Sequence, residues 1–225
     1  MKGPRRLTRQ ESKEVTRMRL IEAAERVLIR KGFDGASVDE ISERAGYSRG
    51  AFYSNFRDKE QVFLAVLDRR RSQVETALDD ILRRTSEPAE RVAAIREWFS
   101  NQWRFKDFIA LRMEFSRRAM TDRSVRKHLA ELRRRELETC AVSVSRCVCA
   151  MDGFRADRPE IVALVLLAVI HGLGSLAIGT EPECEHLYTE AAKLAFDRMS
   201  APEAISSDGF DAEKPSVSVW EEQRL

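Results

Sequence analysis

The chain has 225 residues, 34% of them charged and 43% hydrophobic, enough for one large or two modest domains with a real hydrophobic core. The formal charge of +2 hides a gradient: residues 1–71 carry +6, residues 72–200 are neutral and residues 201–225 carry −4, so a polyanion partner is favoured for the N-terminal part only. Cys140, Cys147, Cys149 and Cys184 lie in apolar helical surroundings without the spacing of a disulfide-rich secreted domain, and residues 1–10 are basic and lack an apolar signal core, which together favour a cytosolic protein with reduced thiols.

In chain order, residues 1–11 carry Lys2, Arg5, Arg6 and Arg9 with Gly3 and Pro4. They read as a flexible basic arm, either lying along a minor groove or phosphates, or simply a solubilising tail. A first helix is predicted over 12–31, where Leu20, Ile21, Ala24, Val27 and Leu28 form a wide apolar face. Gly32 stops it and Phe33 plugs a small core.

Residues 37–59 are the densest in chemistry. Ser37 and Glu40 have capping-box spacing, with Ser37 accepting from the Glu40 N–H and the Glu40 carboxylate reaching back. A short helix follows to residue 45, its apolar face made by Val38, Ile41 and Ala45, and Gly46 supplies the positive φ that ends it. After the Gly46, Tyr47, Ser48 turn, Ser48 caps a second short helix over 49–55 from whose start Arg49, Gly50 and Ala51 project. This is helix-turn-helix geometry, in which the second helix enters the major groove N-terminal end first.

Three jobs divide these residues. Phe52 and Phe56 belong to the core with Val38, Ile41 and Ala45. Tyr53, Asn55 and Lys59 offer a hydroxyl, an amide and an ammonium suited to phosphate oxygens, and Ser37 and Ser48 add donors at helix N-termini, unless they serve only as caps. Arg49 is left to read a guanine, or only to hold a phosphate, with Gly50 permitting close backbone approach, the Ala51 methyl available to a thymine methyl and Arg44 near enough to help.

Taken in register, the amphipathic first helix ending in Lys31-Gly32-Phe33, the entry Gly35-Ala36-Ser37-Val38, Ile41, Ala45-Gly46, and the block Phe52-Tyr53-Ser54-Asn55-Phe56 followed by Asp58-Lys59-Glu60 resemble the DNA-binding head of the tetracycline-repressor (TetR) family of bacterial transcription regulators. The resemblance covers residues 12–67, and beyond them it is architectural. It implies an all-α fold: a three-helix helix-turn-helix head over 12–57, then a helical ligand-binding and dimerisation domain over 58–200. The first helix of that domain, over 58–84, is the connecting element whose swing in the family separates the two recognition helices.

Asp58 and Gln61 repeat the capping-box spacing at the start of this helix, and Phe63, Val66, Leu67, Val74, Leu78, Ile81 and Leu82 stripe it. Further helices are predicted over 87–104, 106–119, 122–151, from Pro159 to about residue 179, and from Pro182 to about residue 200. Candidate pocket residues are Trp98, Trp103, Phe108, Phe115, Met151 and His171, together with Arg112 and Glu136, charges that interrupt apolar stripes and so pair with each other, face a polar ligand in a cavity, or lie where the stripe is exposed. Packing accounts for most of the aromatic residues, since such stripes are usually core, and a histidine placed like His171 is more often a satisfied core or interface residue than a ligand contact.

The stretch 161–179 is apolar enough for a membrane check, but His171 and three glycines within it favour a subunit interface over a membrane span. Ile161, Leu164, Ala168, Gly172 and Ser175 with Leu187, Ala191 and Leu194 are the candidate dimer residues, Gly172, Gly174, Ser175 and Gly179 allowing close approach. The acidic residues 201–225 read as a disordered tail.

The expected function is a DNA-binding regulator, most often a repressor in this family, acting in the bacterial cytoplasm as a homodimer on a palindromic double-stranded operator with half-sites roughly 34–36 Å apart, and released by a small, largely apolar or aromatic effector. No catalytic constellation, cofactor or metal site is expected, because no nucleophile with a base, phosphate loop or C-x-x-C pair is present. The alternatives are a thiol- or metal-responsive regulator using the cysteines, and a non-specific DNA-binding protein without a ligand.

Overall fold

The computed structural model describes residues 8–148 and 159–199. Residues 1–7, Cys149, Met151 and the 201–225 tail lie outside the described residues, with whatever the sequence suggests for them. Among the described residues there are helices and no strand: α1 (Arg9–Gly35), α2 (Val38–Ala45), α3 (Arg49–Tyr53), α4 (Lys59–Arg84), α5 (Pro88–Ser100), α6 (Lys106–Ala119), α7 (Arg123–Val148), α8 (Pro159–Leu176) and α9 (Glu185–Met199). This is the all-α fold expected, a helix-turn-helix head followed by a C-terminal helical domain.

Helix α1 begins three residues before the expected start, because Thr8 makes a complete capping box: its hydroxyl accepts from the Glu11 N–H at 3.2 Å while the Glu11 carboxylate accepts from the Thr8 N–H at 2.7 Å. Arg9 therefore belongs to a helical turn and not to an arm reaching residue 11. At the other end Gly32 breaks the helix (φ 71°, ψ 177°) and one more turn runs to Gly35. The break turns Phe33 inward, edge-on to Phe63 at 5.4 Å and to Phe115 at 5.9 Å.

Ser37 caps α2 as expected, accepting from the Glu40 N–H at 3.1 Å, but the return half of that capping box is absent. The Glu40 carboxylate instead bonds Lys31 at 2.6 Å and Arg30, both on α1. Two cations within reach outcompete a neutral N–H, and the Lys31 hydrogen bond holds the Glu40 carboxyl below the usual range. Asp58 likewise caps α4 through the Gln61 N–H at 2.8 Å, whereas the Gln61 side chain accepts from Arg57 N–H and not from Asp58.

The head has no core of its own. Leu20, Val27, Leu28, Ile41, Phe52 and Phe56 are buried in one cluster with Val62, Phe63 and Val66 of α4, Phe115 of α6 and Val125 of α7. A second cluster, Ile95, Phe99, Val144, Val162, Ala163, Leu166, Ala192 and Phe196, joins α5, α7, α8 and α9. Each of the larger apolar side chains contributes on the order of 1.5–3 kcal/mol by leaving water, and the first cluster packs the head directly against α4, α6 and α7.

Helix α5 stops at Ser100, four residues before the expected end, and the chain tightens into a single 3₁₀ turn, Gln102–Arg104. That turn buries Trp103, whose indole N–H donates to Thr189 at 3.2 Å and whose ring lies 5.3 Å from Tyr188. The apolar helix α8 ends at Leu176, not at residue 179. Gly174 serves packing inside the chain and not a subunit contact: a Cβ there would sit 2.0 Å from Ile109 Cδ1, whereas at Gly172 it would meet open space. The outer faces of α8 and α9 leave Ile161, Leu164, Leu176, Leu187 and Leu194 43–68% exposed, with Ala168, Gly172 and Ala191 also exposed and Ser175 half-buried. Among the described helices only α8 is long and apolar enough to cross a bilayer, and it is 22% buried.

Candidate nucleic-acid interface and interior cavity

Helices α2 and α3 are set by their turn. Gly46 adopts the left-handed conformation (φ 76°, ψ 27°), its N–H returning to Glu43 O at 3.0 Å and that of Tyr47 to Ser42 O at 2.9 Å. Ser48 then caps α3 by accepting from the Ala51 N–H at 3.2 Å. With Phe52 and Phe56 buried, the outward surface is Ser37, Arg44, Ser48, Arg49, Gly50 and Tyr53, all exposed, with Ala51 half-buried among them.

Arg49 is not idle in this surface. Its guanidinium meets Asp39 of α2 at 3.1 Å and the Tyr53 hydroxyl at 3.4 Å, which together with the Tyr53 ring hold it over the start of the recognition helix. Because Arg49 and Asp39 are 61% and 66% exposed, the pair is weak and exchangeable for a nucleic-acid acceptor. Arg44 has no hydrogen-bond partner among the described residues, so its charge is uncommitted.

Two expected phosphate contacts are placed otherwise. The Lys59 ammonium donates to Phe33 O and to Ala36 O at 2.8 Å, closing the carbonyl end of α1, and it lies 4.5 Å from the Phe33 ring centre. Burial pushes its pKa down. The Asn55 amide donates back to Ala51 O at 2.8 Å, and its Oδ1 is buried without a partner. Both residues secure helix ends. Carbonyls left open at a helix terminus attract the nearest cation or amide, and the tertiary fold brings them within reach. Arg17 and Arg57, which are not among the expected site residues, stand at the same end of the head. Arg17 donates to Asn55 O at 3.1 Å with its guanidinium 4.3 Å from the Phe56 ring, at the exit of α3; Arg57 is 78% exposed beside Asp58. The only sequence signal for Arg57 was a basic residue directly after Phe56, and Arg17 had none.

The C-terminal domain encloses a cavity of about 160 Å³ between α4 and α5 through α9. Of the expected pocket residues, Trp98, Phe108, Arg112, Glu136 and His171 line it. Trp103 and Phe115 do not: Trp103 is spent on the α9 contact described above, and Phe115 is stacked on Phe63 at 4.2 Å in the head core. Met151 is outside the described residues. The walls are otherwise apolar, with Leu78, Ile95, Phe99, Leu166 and Phe196 prominent.

Arg112 and Glu136 pair with each other, at 2.6 Å and 2.9 Å, in a two-pronged bridge that is 12% and 20% exposed. Beside them burial, and then the Arg112 charge, push the His171 imidazole down to about 4, so it is neutral near pH 7. His171, Arg112 and Glu136 also line a groove on the other side, whose wall includes Leu164, Ala168, Gly172 and Ser175. Cys140 lines the cavity, its sulfur 3.9 Å from Ala163 O. Among the described residues no three His, Cys, Asp or Glu side chains converge as metal ligands.

A lining residue that sequence reasoning missed is Arg70 of α4, which shares the cavity wall with Leu67 and Val74. Its signal was available: a charge interrupting an apolar stripe at helical spacing, the same test that singled out Arg112 and Glu136.

Comparison with known proteins agrees with this arrangement. The family profile described as bacterial regulatory proteins, tetR family, matches residues 20–66, and that of the BetI-type transcriptional repressor C-terminal domain matches residues 88–199. The chain is 30% identical over 172 residues to the transcriptional repressor AcnR of Corynebacterium glutamicum, covering 75% of this chain and 85% of that protein. It is 28% identical over 158 residues to the transcriptional activator FasR of Mycolicibacterium smegmatis, covering 68% of each. Among solved structures, a transcriptional regulator from Rhodococcus sp. Rha1 superposes with a TM-score of 0.64 at 25% identity, over 84% of this chain and 98% of that one. The regulator FadR from Bacillus subtilis, in complex with stearoyl-CoA, does so with a TM-score of 0.62 at 13% identity, over 84% and 99%, a likeness of fold. The exposed Arg49 surface on a capped recognition helix, the helical domain behind it, and these matches in both halves agree that the chain belongs to the TetR family of DNA-binding transcriptional regulators.

Proposed function

We propose that the protein is a cytoplasmic repressor that binds a palindromic operator as a homodimer and is released by a small, largely apolar or aromatic effector held in the α4 to α9 cavity. The observation that carries this reading is that the cavity is walled by the two helices fastened to the DNA-binding head. Arg69 on α4 bonds Glu22 at 3.0 Å and Glu25 at 2.6 Å on α1, and Glu114 on α6 bonds the Phe33 N–H. A ligand between α4 and α6 would therefore act on the head only by favouring one head position, and by linkage DNA would weaken the ligand equally.

The exposed apolar row on α8 and α9 supports the homodimer, since side chains such as Leu164 and Leu194 would be costly to leave in water. Ser37, Arg44, Ser48, Arg49, Gly50, Ala51 and Tyr53 are the proposed DNA-binding residues, and Arg17 and Arg57 are added to them. Two-fold pairing doubles the few base contacts that a five-residue recognition helix offers.

The test is genome-wide footprinting followed by titration of the recovered site and of random DNA, with sedimentation of the free protein. The reading expects a strong preference for a two-fold symmetric site and a dimer at micromolar concentration. Equal affinity for both DNAs would leave a non-specific binder, and a monomer would remove the dimer. Increased transcription from the bound promoter, the direction named for FasR, would make the protein an activator.

A further inference from the structure

Three arginines line the interior cavity, and their charges are disposed differently. Arg112 is neutralised by Glu136. Arg71 bonds Asp68 at 3.1 Å and Glu75 at 2.9 Å. Arg70 alone of the three has no carboxylate within 4.0 Å among the described residues. Its guanidinium lies 3.4 Å from the centre of the Phe105 ring and donates to Gln102 Oε1 at 3.3 Å. Gln102 is itself buried and oriented by its own bond to Trp98 O at 2.9 Å. The remaining titratable groups on the wall are His171, which is neutral near pH 7, and Cys140.

A cation lying on an aromatic face with one neutral acceptor keeps several N–H donors unused. Taking it out of water is unfavourable, and burial pushes its pKa down, an effect that the more distant Glu25 carboxylate opposes without reversing. An incoming anion is the group that would relieve this, and a planar carboxylate matches the guanidinium fork with two parallel hydrogen bonds. Behind Arg70 the wall runs through Leu67, Val74 and Leu78 to Ile95, Phe99 and Phe196, with no second uncompensated charge.

We propose that the cavity binds a monocarboxylic acid with an apolar body, its carboxylate on Arg70 and its body along the Leu78, Phe99 and Phe196 wall. This rests on the reading of the cavity as the effector site and names the chemistry of the effector. Arg70 also fits the control function, because its neighbour Arg69 ties the same turn of α4 to Glu22 and Glu25 of α1. A carboxylate held at Arg70 is held at the turn of α4 that is tied to α1 of the head.

The test is calorimetric titration of the full chain at pH 7.5 with decanoate and 4-phenylbutyrate, and with the uncharged counterparts decan-1-ol and 4-phenylbutan-1-ol. At least one acid should bind about tenfold or more tightly than its alcohol, the scale of one charge-assisted, two-pronged contact. That ratio should fall towards one in Arg70→Met and largely survive in Arg70→Lys. Acid and alcohol binding alike, a preference that survives Arg70→Met, or no binding of either acid at millimolar concentration would each overturn the assignment. The wild-type comparison needs no variant, and Arg70→Gln replaces Arg70→Met should the latter not fold. Operator titration with and without the acid separates the two readings: an Arg70-dependent acid preference with no effect on operator affinity would keep the site and remove its role in release.

Discussion

The Glu114 carboxylate accepts the Phe33 backbone N–H with both oxygens, at 3.0 Å and 2.9 Å, at the point where Gly32 takes α1 out of helical geometry. The break deprives that N–H of its partner within the helix, and α6 supplies one from 81 residues away. Gly32 leaves the room: a Cβ there would stand 3.1 Å from the carboxylate. Arg118, one turn further along α6, bonds Asp34 at 2.5 Å and sits over the Phe33 ring. Because α6 also carries Phe108, Ile109 and Arg112 of the cavity wall, this clamp joins the interior of the C-terminal domain to the DNA-binding head.

Glu114→Ala should leave a part-buried N–H without an acceptor and cost roughly 1–3 kcal/mol, whereas Glu114→Gln should recover much of that because an acceptor remains. Urea denaturation of the three proteins checks this, and equal midpoints for wild type and Glu114→Ala would show that the clamp contributes nothing to the fold.

Lys59 separates two roles by salt dependence. Had it gripped a phosphate, its removal would flatten the slope of log affinity against log salt. Its ammonium instead closes the carbonyl end of α1, so Lys59→Met should lower stability by about 1–3 kcal/mol and leave the salt slope of operator binding unchanged. Operator titrations across a salt series, run beside thermal melts, provide the readout; a flattened slope with an unchanged melting temperature would restore the phosphate role.

Arg49 and Asp39 should behave oppositely. Arg49→Ala should lose about 1–3 kcal/mol on the operator at one base position and little on random DNA, if it reads a guanine. Asp39→Asn frees Arg49 from an exposed pair and removes an anion facing DNA, so affinity should rise, by up to about fivefold. Equal losses on both DNAs for Arg49→Ala would assign it to phosphate, and weaker binding by Asp39→Asn would mean that Asp39 positions Arg49 and does not compete for it.

His171 provides a pH signature. Its pKa in the folded chain is held down to about 4, by burial first and then by Arg112, against an ordinary 6.5. The unfolded chain therefore binds the proton first as pH falls, and stability is lost progressively between pH 6.5 and 4, by at most about 3 kcal/mol. Arg133 pushes in the same direction and Glu136 opposes. The denaturation midpoint of wild type should fall relative to that of His171→Gln between pH 7, 6 and 5; a constant difference would mean that the imidazole titrates normally.

How much could be read in advance follows the range of the interactions. The Ser37, Gly46 and Ser48 signals found the helix-turn-helix because caps and a left-handed glycine act within four residues. Arg112 and Glu136 were flagged as charges in apolar stripes, and pairing was one of three outcomes left open until α6 and α7 were brought together. The bonds of Lys59 to the end of α1 have no local signal, because their acceptors lie 23 and 26 residues upstream. The apolar character of Trp103 and Phe115 does not distinguish a cavity wall from a filled core, and both lie in the core.

By itself the sequence determined the helices, the head and its exposed arginine, because periodicity, capping and glycine geometry are local and need no partner. Only the tertiary structure decided which cations are spent and which are free: Lys59 on the end of α1, Arg112 on Glu136, Arg49 lightly on Asp39, and Arg70 on no carboxylate among the described residues. Charge compensation depends on distances between residues far apart in the chain, and those distances exist only after the helices have packed.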